Sequence, residues 1–160
     1  MGSEMCIRDR VETAWGKPGG SYVGIGQDLT DFPFLDAVGL SSYPYLAGYP
    51  DPENIPPDYY ARLTSGTALP SLVIEGGWPS VSVGNITSDP ATQQRYIDQQ
   101  SRLLDQAHAI GWFQIMFTDL EVAAYPPGSA PFADLGLVTT TLAPKPALTS
   151  WDAHFARPRS

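Results

Sequence analysis

Three short apolar runs punctuate the chain, and each is followed by a long stretch rich in Pro, Gly and aromatic residues. The runs are Asp36–Ser42 (DAVGLSS), Leu69–Glu75 (LPSLVIE) and Trp112–Thr118 (WFQIMFT). They are too short for stable helices, and their apolar positions are nearly continuous. That is the pattern of parallel strands buried on both faces. Val11–Trp15 reads as the end of a further strand, Lys17–Gly20 as a turn broken by Pro-Gly-Gly, and Gly24–Phe34 as loop.

The polar stretches predict the rest. Tyr43–Pro57 (YPYLAGYPDPENIPP) holds three Tyr and five Pro, so neither a helix nor a central strand survives there. Asp58–Leu63 is expected to open a short helix behind Pro57. Trp78–Thr87 and Leu120–Leu135 read as long loops. Ser88-Asp89-Pro90 places a polar cap before Pro at the first helical position, which predicts a helix running to about Ala109 with Gly111 just past its end. Its apolar stripe is Tyr96, Leu103, Ala107 and Ile110, with Ile97 and Leu104 beside it. Lys145–Phe155 forms a closing helix, again entered through Pro.

Strand, loop and helix thus recur three times, which argues for an α/β fold built of parallel βαβ units. The loops after the strands are long, whereas the helix-to-strand links are short. A (β/α)₈ barrel has this asymmetry, because its active site is made by the loops after the strands. The competing open doubly wound sheet announces a nucleotide site with a Gly-rich turn, and no GxGxxG or P-loop pattern occurs. A whole barrel needs about 250 residues, and the chain has 160. It is therefore expected to be a partial barrel, roughly the last three βα units.

Composition narrows the partners. The formal net charge is −8, and nine Lys and Arg are scattered without a basic run. Phosphate backbones need clustered positive charge, so a nucleic-acid partner is not expected. No apolar run approaches the ~20 residues that span a bilayer, so no membrane partner is expected either. The single Cys, Cys6, excludes an intrachain disulfide. Met1–Arg10 (MGSEMCIRDR) resembles translated adapter sequence and is set aside as a non-native leader, which leaves 11–160 as one domain. His108 and His154 fall on separate predicted helices without metal-ligand spacing, and are expected to be surface residues. No cofactor or metal ion is expected. Asn85-Ile86-Thr87 is a glycosylation sequon, meaningful only in a eukaryotic secretory host.

Glu75 is the strongest chemical candidate. It ends the run Leu72-Val73-Ile74 and precedes Gly76-Gly77-Trp78-Pro79-Ser80. A carboxylate at the C-terminal mouth of a barrel strand is placed for catalysis, and the glycines let backbone and substrate approach closely. The same position also suits a carboxylate held in a structural salt bridge. Asp119 and Glu121 follow the third run and reach the same mouth, either to bind hydroxyl groups or to cap their loop.

The stretch Val73–Ser80 (VIEGGWPS) resembles the nucleophile segment on the seventh strand of clan A (β/α)₈-barrel glycoside hydrolases, with close versions in endo-β-1,4-galactanases and β-1,3-glucanases. Gly76 stands where Thr is commoner in that pattern, which implies looser local packing. Asp36–Tyr45 (DAVGLSSYPY) resembles the sixth strand of the same enzymes, and Gly136–Trp151, with its "GL" and "PKPA", resembles the close of such barrels. The likeness covers roughly residues 30–155.

It implies a retaining hydrolase of a β-glycan, extracellular or periplasmic, with an oligo- or polysaccharide substrate and Glu75 as nucleophile. It implies that Tyr43 orients Glu75, although a lid packed on Pro44 is an equal reading. Tyr45, Tyr49 and Trp78 are expected on exposed loops, where rings can stack on sugars, and Trp112 is expected in the core. The family's acid/base is a Glu after Asn on the fourth strand. No Asn-Glu pair exists here, and Glu12 lies too late in the order to take the role. The chain by itself is thus expected to be inactive. Leu72, Val73, Ile74, Ile115 and Phe117 would be partly exposed, and open sheet edges would drive self-association. Two other classes stay open: a non-catalytic carbohydrate-binding barrel, and a barrel of unrelated chemistry using a strand-end Lys, for which Lys17 and Lys145 are poorly placed.

Overall fold

The computed structural model describes residues 26–62, 65, 67–126 and 128–157. The expected strand end at Val11–Trp15, the turn at Lys17–Gly20, Glu12 and the Met1–Arg10 leader lie outside the described residues. Three parallel strands form one sheet in the order β1-β2-β3: β1 is Val38–Ser42, β2 is Ser71–Gly76 and β3 is Gly111–Trp112. The α-helices are α1 (Gly26–Asp31), α2 (Pro90–Gln106) and α3 (Pro146–Phe155). The α/β class therefore holds, and an α-helix follows β2 and β3 as expected, whereas among the described residues only a 3-10 turn and turns separate β1 from β2.

The register between β1 and β2 runs Val38↔Ser71, Gly39↔Leu72 and Leu40↔Val73, then skips to Ser41↔Glu75 and Ser42↔Gly76. Ile74 is the extra residue of a β-bulge. A bulge bends its strand and re-aims the side chains beside it, and here the neighbouring residue is Glu75. The bulge also explains why the third strand is shorter than Trp112–Thr118. β3 pairs with Leu72 and Val73 only. Past the bulge the contact survives as single bonds: Phe113 N donates to Val73 O (2.8 Å) and Ile115 N to Gly76 O (3.0 Å). Thr118 then pairs with Val138 instead.

Both helix starts follow the sequence. Asp89 caps α2, its carboxylate accepting from Thr92 N at 2.7 Å. That bond holds the Asp89 carboxyl below its usual range, helped by the Thr92 hydroxyl. Pro90 and Pro146 occupy the first turns, where no amide is needed. The end of α2 comes earlier than expected. His108 adopts a left-handed conformation, with φ of 53°. It turns the chain out of the helix, and Ala109 N donates to Leu104 O (3.0 Å) as the terminating bond. Ile110, expected on the apolar stripe, lies past that turn and is 62% exposed. Tyr96, Ile97, Leu103 and Leu104 are buried as expected.

Two further expectations are corrected. Gly24–Phe34 is not all loop, since α1 forms there and Leu29 packs against the core. Tertiary contact outweighs the weak propensity of a Gly- and Thr-containing segment. The helix expected from Asp58 does not form over the described residues 58–62; residues 57–62 are turns, with Tyr59 N donating to Pro56 O (3.0 Å) and Arg62 N to Asp58 O (3.0 Å), and Leu63 lies outside the described residues. Tyr59 and Tyr60 enter the core from these turns.

The main core lies between one face of the sheet and the helices. Val38, Leu40 and Val73 meet Tyr96, Ile97 and Leu104 there. Trp112 is half-buried at its margin, its ring stacked on Trp151 of α3 (4.8 Å between centroids) and, through Trp151, on Phe155. The exposure expected for the sheet is corrected in part. Leu72 and Val73 are buried, Ile74 and Ile115 are half-buried, and Phe117 is 58% exposed, with Phe113 at 60%.

Candidate active site

Because the strands are parallel, their C-terminal ends lie at one end of the sheet. Tyr43 follows β1, Glu75 is the penultimate residue of β2, and Asp119 follows the segment that extends β3. The residues that the sequence assigns to one mouth are therefore at one mouth. Glu75 is half-buried, and among the described residues no hydrogen bond or ion pair engages its carboxylate.

The backbone beneath Glu75 is tightly held. A Cβ on Gly76 would lie 2.6 Å from Ser42 O, and one on Gly77 would lie 2.8 Å from Gln114 Nε2. The expectation of looser packing at Gly76 is thus corrected, since glycine is what lets β1 and β2 approach. Gly76→Thr is expected to destabilise the fold by about 1–3 kcal/mol through overpacking against backbone. A denaturant midpoint equal to the parent's would show that β1 yields without cost.

The aromatic candidates are placed differently from expectation. Trp78 is fully buried, its Nε1 donating to Ser88 Oγ (3.1 Å) and its ring lying 5.7 Å from Tyr45 and 5.4 Å from Tyr96. Tyr45 is 3% exposed and donates to Pro131 O (2.9 Å); Tyr49 is buried against Tyr59. These loops fold back over the helix side and bury their own rings, because burial of each ring outweighs the cost of ordering the chain. A buried ring offers no face to a ligand. Tyr43 alone of the four is half-buried, edge-on to Tyr45 (6.3 Å) and Phe132 (5.2 Å).

Asp119 is in a buried ion pair. Its Oδ1 accepts from Lys145 Nζ (2.5 Å) and from Gly136 N (3.0 Å), with side-chain exposures of 10% for Asp119 and 7% for Lys145. Lys145 also donates to Ser80 Oγ (2.8 Å). No local pattern in the sequence signals this pair, because Asp119 and Ser80 lie 26 and 65 residues from Lys145. The Ser80–Lys145 contact is no nucleophile–base dyad, because Lys145 Nζ is engaged by Asp119 and both Ser80 and Lys145 are buried. Nearby, burial pushes the Asp134 carboxyl up, the charge of Asp119 adds to this, and Lys145 opposes it. Glu121 is exposed and makes no side-chain cap bond.

His108 is exposed, as expected of a surface residue, and His154 is half-buried. Both line an opening at the start of β3, with Trp112, Phe155 and Arg157, at the end of the sheet opposite Glu75. His154 Nε2 is 2.9 Å from Asp98 Oδ1. Among the described residues no group of three His, Cys, Asp or Glu is arranged to hold a metal ion, and no helix is long and apolar enough to cross a membrane.

No family model and no curated protein matches the chain. Solved structures do. A β-glucuronidase from an uncultured Clostridium species aligns with a TM-score of 0.62 at 19% identity, covering 78% of this chain and 23% of that one. A Ruminococcus gnavus β-glucuronidase aligns at 0.59 and 17%, covering 88% and 26%. The β-D-glucuronidase of Dictyoglomus thermophilum aligns at 0.60 and 15%, covering 78% and 23%. At these identities the likeness shows a shared fold alone, and the chain spans about a quarter of the length of those structures. These are β-glucuronidases, not the galactanases or β-1,3-glucanases that the motifs resemble.

Proposed function

We propose that residues 11–160 are the C-terminal part of a (β/α)₈-barrel glycoside hydrolase that cleaves a β-glycan with retention, and that Glu75 is its nucleophile. One observation carries this reading: a half-buried carboxylate ends the central parallel strand, just after a bulge and just before a glycine pressed against the neighbouring strand. The fold shared with β-glucuronidases supports it. A retaining mechanism needs a second carboxyl about 5–5.5 Å away, which we assign to a strand that precedes this chain in the complete enzyme. The substrate is an oligo- or polysaccharide outside the cytoplasm, and Tyr43, at the mouth beside β2, orients Glu75. The rival reading, a non-catalytic sugar-binding barrel, is weakened because Tyr45 and Trp78 are buried.

The test is to assay the complete enzyme on aryl β-glucuronides, β-galactosides and β-glucosides and to follow the first anomer formed. A β-anomer first is the expected result, and an α-anomer rejects the retaining mechanism. The 160-residue chain alone should show no turnover and should elute as an oligomer. The motive is the exposure of Ile110 and Phe113, which flank the edge strand β3, and of Phe117 further on. A monodisperse monomer overturns the association claim. Turnover by the chain that is abolished in Glu75→Gln would show that the acid/base is present, and would turn attention to Glu12, Asp119 and Glu121.

A further inference from the structure

Gln93 sits in the first turn of α2 and is fully buried. Its Nε2 donates to Trp78 O (3.0 Å) and Gly136 O (3.0 Å), and lies 3.4 Å from Asp134 O. Trp78 is three residues past Glu75. Gly136 belongs to the segment that closes over the third strand, where a Cβ would meet Thr118 C and Asp119 N at 2.3 Å. One amide group thus bridges the loop after Glu75 and the loop on its other side.

The neighbouring bonds act in the same direction. Ser80 N donates to Asp134 O (3.0 Å), Ser88 Oγ to Pro79 O (2.6 Å), and Gly77 N to Ser42 O (3.3 Å). Gln93 is the member that reaches from a rigid helix into both loops at once. Its Oε1 has no partner among the described residues. A residue kept for volume alone would carry no such orphan acceptor, so the donor end of the side chain is what the site uses.

We propose that Gln93 is a positioning residue for Glu75, fixing the backbone of residues 76–80 and hence the direction of the carboxylate. The use of that positioning rests on the nucleophile reading; the clamp itself does not. A strand-end carboxylate needs such support, because its own backbone leaves the sheet one residue later, and a misplacement of about 1 Å is costly in covalent catalysis.

The experiment is solution NMR on the isotope-labelled 160-residue chain. In the unsubstituted chain the Gln93 side-chain amide protons should exchange slowly; exchange at the rate of a free amide overturns the clamp. This arm needs no variant to fold. Gln93→Met then keeps the volume and removes both donors. The amides of Gly77 and Ser80 should exchange faster by about tenfold or more, while those of Ile97 and Leu104 within α2 keep their rates. The Glu75 carboxyl carbon signal should shift or split. A residue serving stability alone would speed all these amides together and leave that signal in place. Gly77 and Ser80 rates within about twofold of the parent, with one unmoved Glu75 signal, overturn the proposal. No sugar enters these measurements, so loss of the nucleophile reading in the azide experiment of the Discussion would leave the clamp standing, and loss of the clamp would leave that reading standing.

Discussion

In the complete enzyme, Glu75→Ala is expected to lower turnover of aryl β-glycosides by roughly three orders of magnitude or more, since removing a covalent nucleophile abolishes the two-step route. Substrate binding should change far less, because the carboxylate contributes chiefly in the transition state. Adding azide should restore part of the rate. The small anion enters the space left by the carboxylate and attacks the anomeric carbon from the face opposite the leaving group. The aryloxide leaves with a proton from the general acid, and the product is the α-glycosyl azide. A β-azide would instead mean that Glu75 is the acid/base and that another carboxylate attacks. Turnover near the parental rate would make Glu75 structural.

The second large effect is on stability. Lys145→Met should destabilise the chain by about 3–5 kcal/mol, the usual cost of removing one member of a buried pair. The side chains of Asp119 and Lys145 are 10% and 7% exposed, so water screens the pair little. Without Lys145, the Asp119 carboxylate keeps, among the described residues, only the Gly136 amide. Ser80 Oγ loses its cationic donor at the same time. Total stabilities of such domains are about 5–15 kcal/mol, so the variant should sit close to its unfolding threshold. The double variant Asp119→Asn, Lys145→Met removes both charges and should regain much of the loss. Equal unfolding midpoints for the parent and Lys145→Met would show that the pair contributes nothing net. A double variant no better than the single one would place the cost in packing, not in the stranded charge.

Both predictions concern one end of the sheet, yet they were legible in the sequence to different degrees. Glu75 could be found from local pattern alone, because an apolar strand ending in a carboxylate and two glycines is a contiguous feature. Lys145 could not. Its partners are Asp119 and Ser80, 26 and 65 residues away, and no local pattern couples them. Asp119 was visible as a mouth residue, but its engagement by Lys145 was not.

The sequence by itself determined what depends on neighbours along the chain. Three apolar runs became parallel strands in the expected order. Asp89-Pro90 and Lys145-Pro146 started helices where capping and proline geometry require. The tertiary structure decided what depends on distant contacts. The extra residue at Ile74 put the strands out of step and cut β3 to two paired residues. His108 ended α2 early by turning left-handed. Trp78 and Tyr45 turned inward to meet each other and Tyr96, although their Pro-rich loops read as exposed. The physical reason is common to all three. Caps and periodicity act over a turn or two of chain, whereas burial is set by whichever surfaces meet once the strands are aligned.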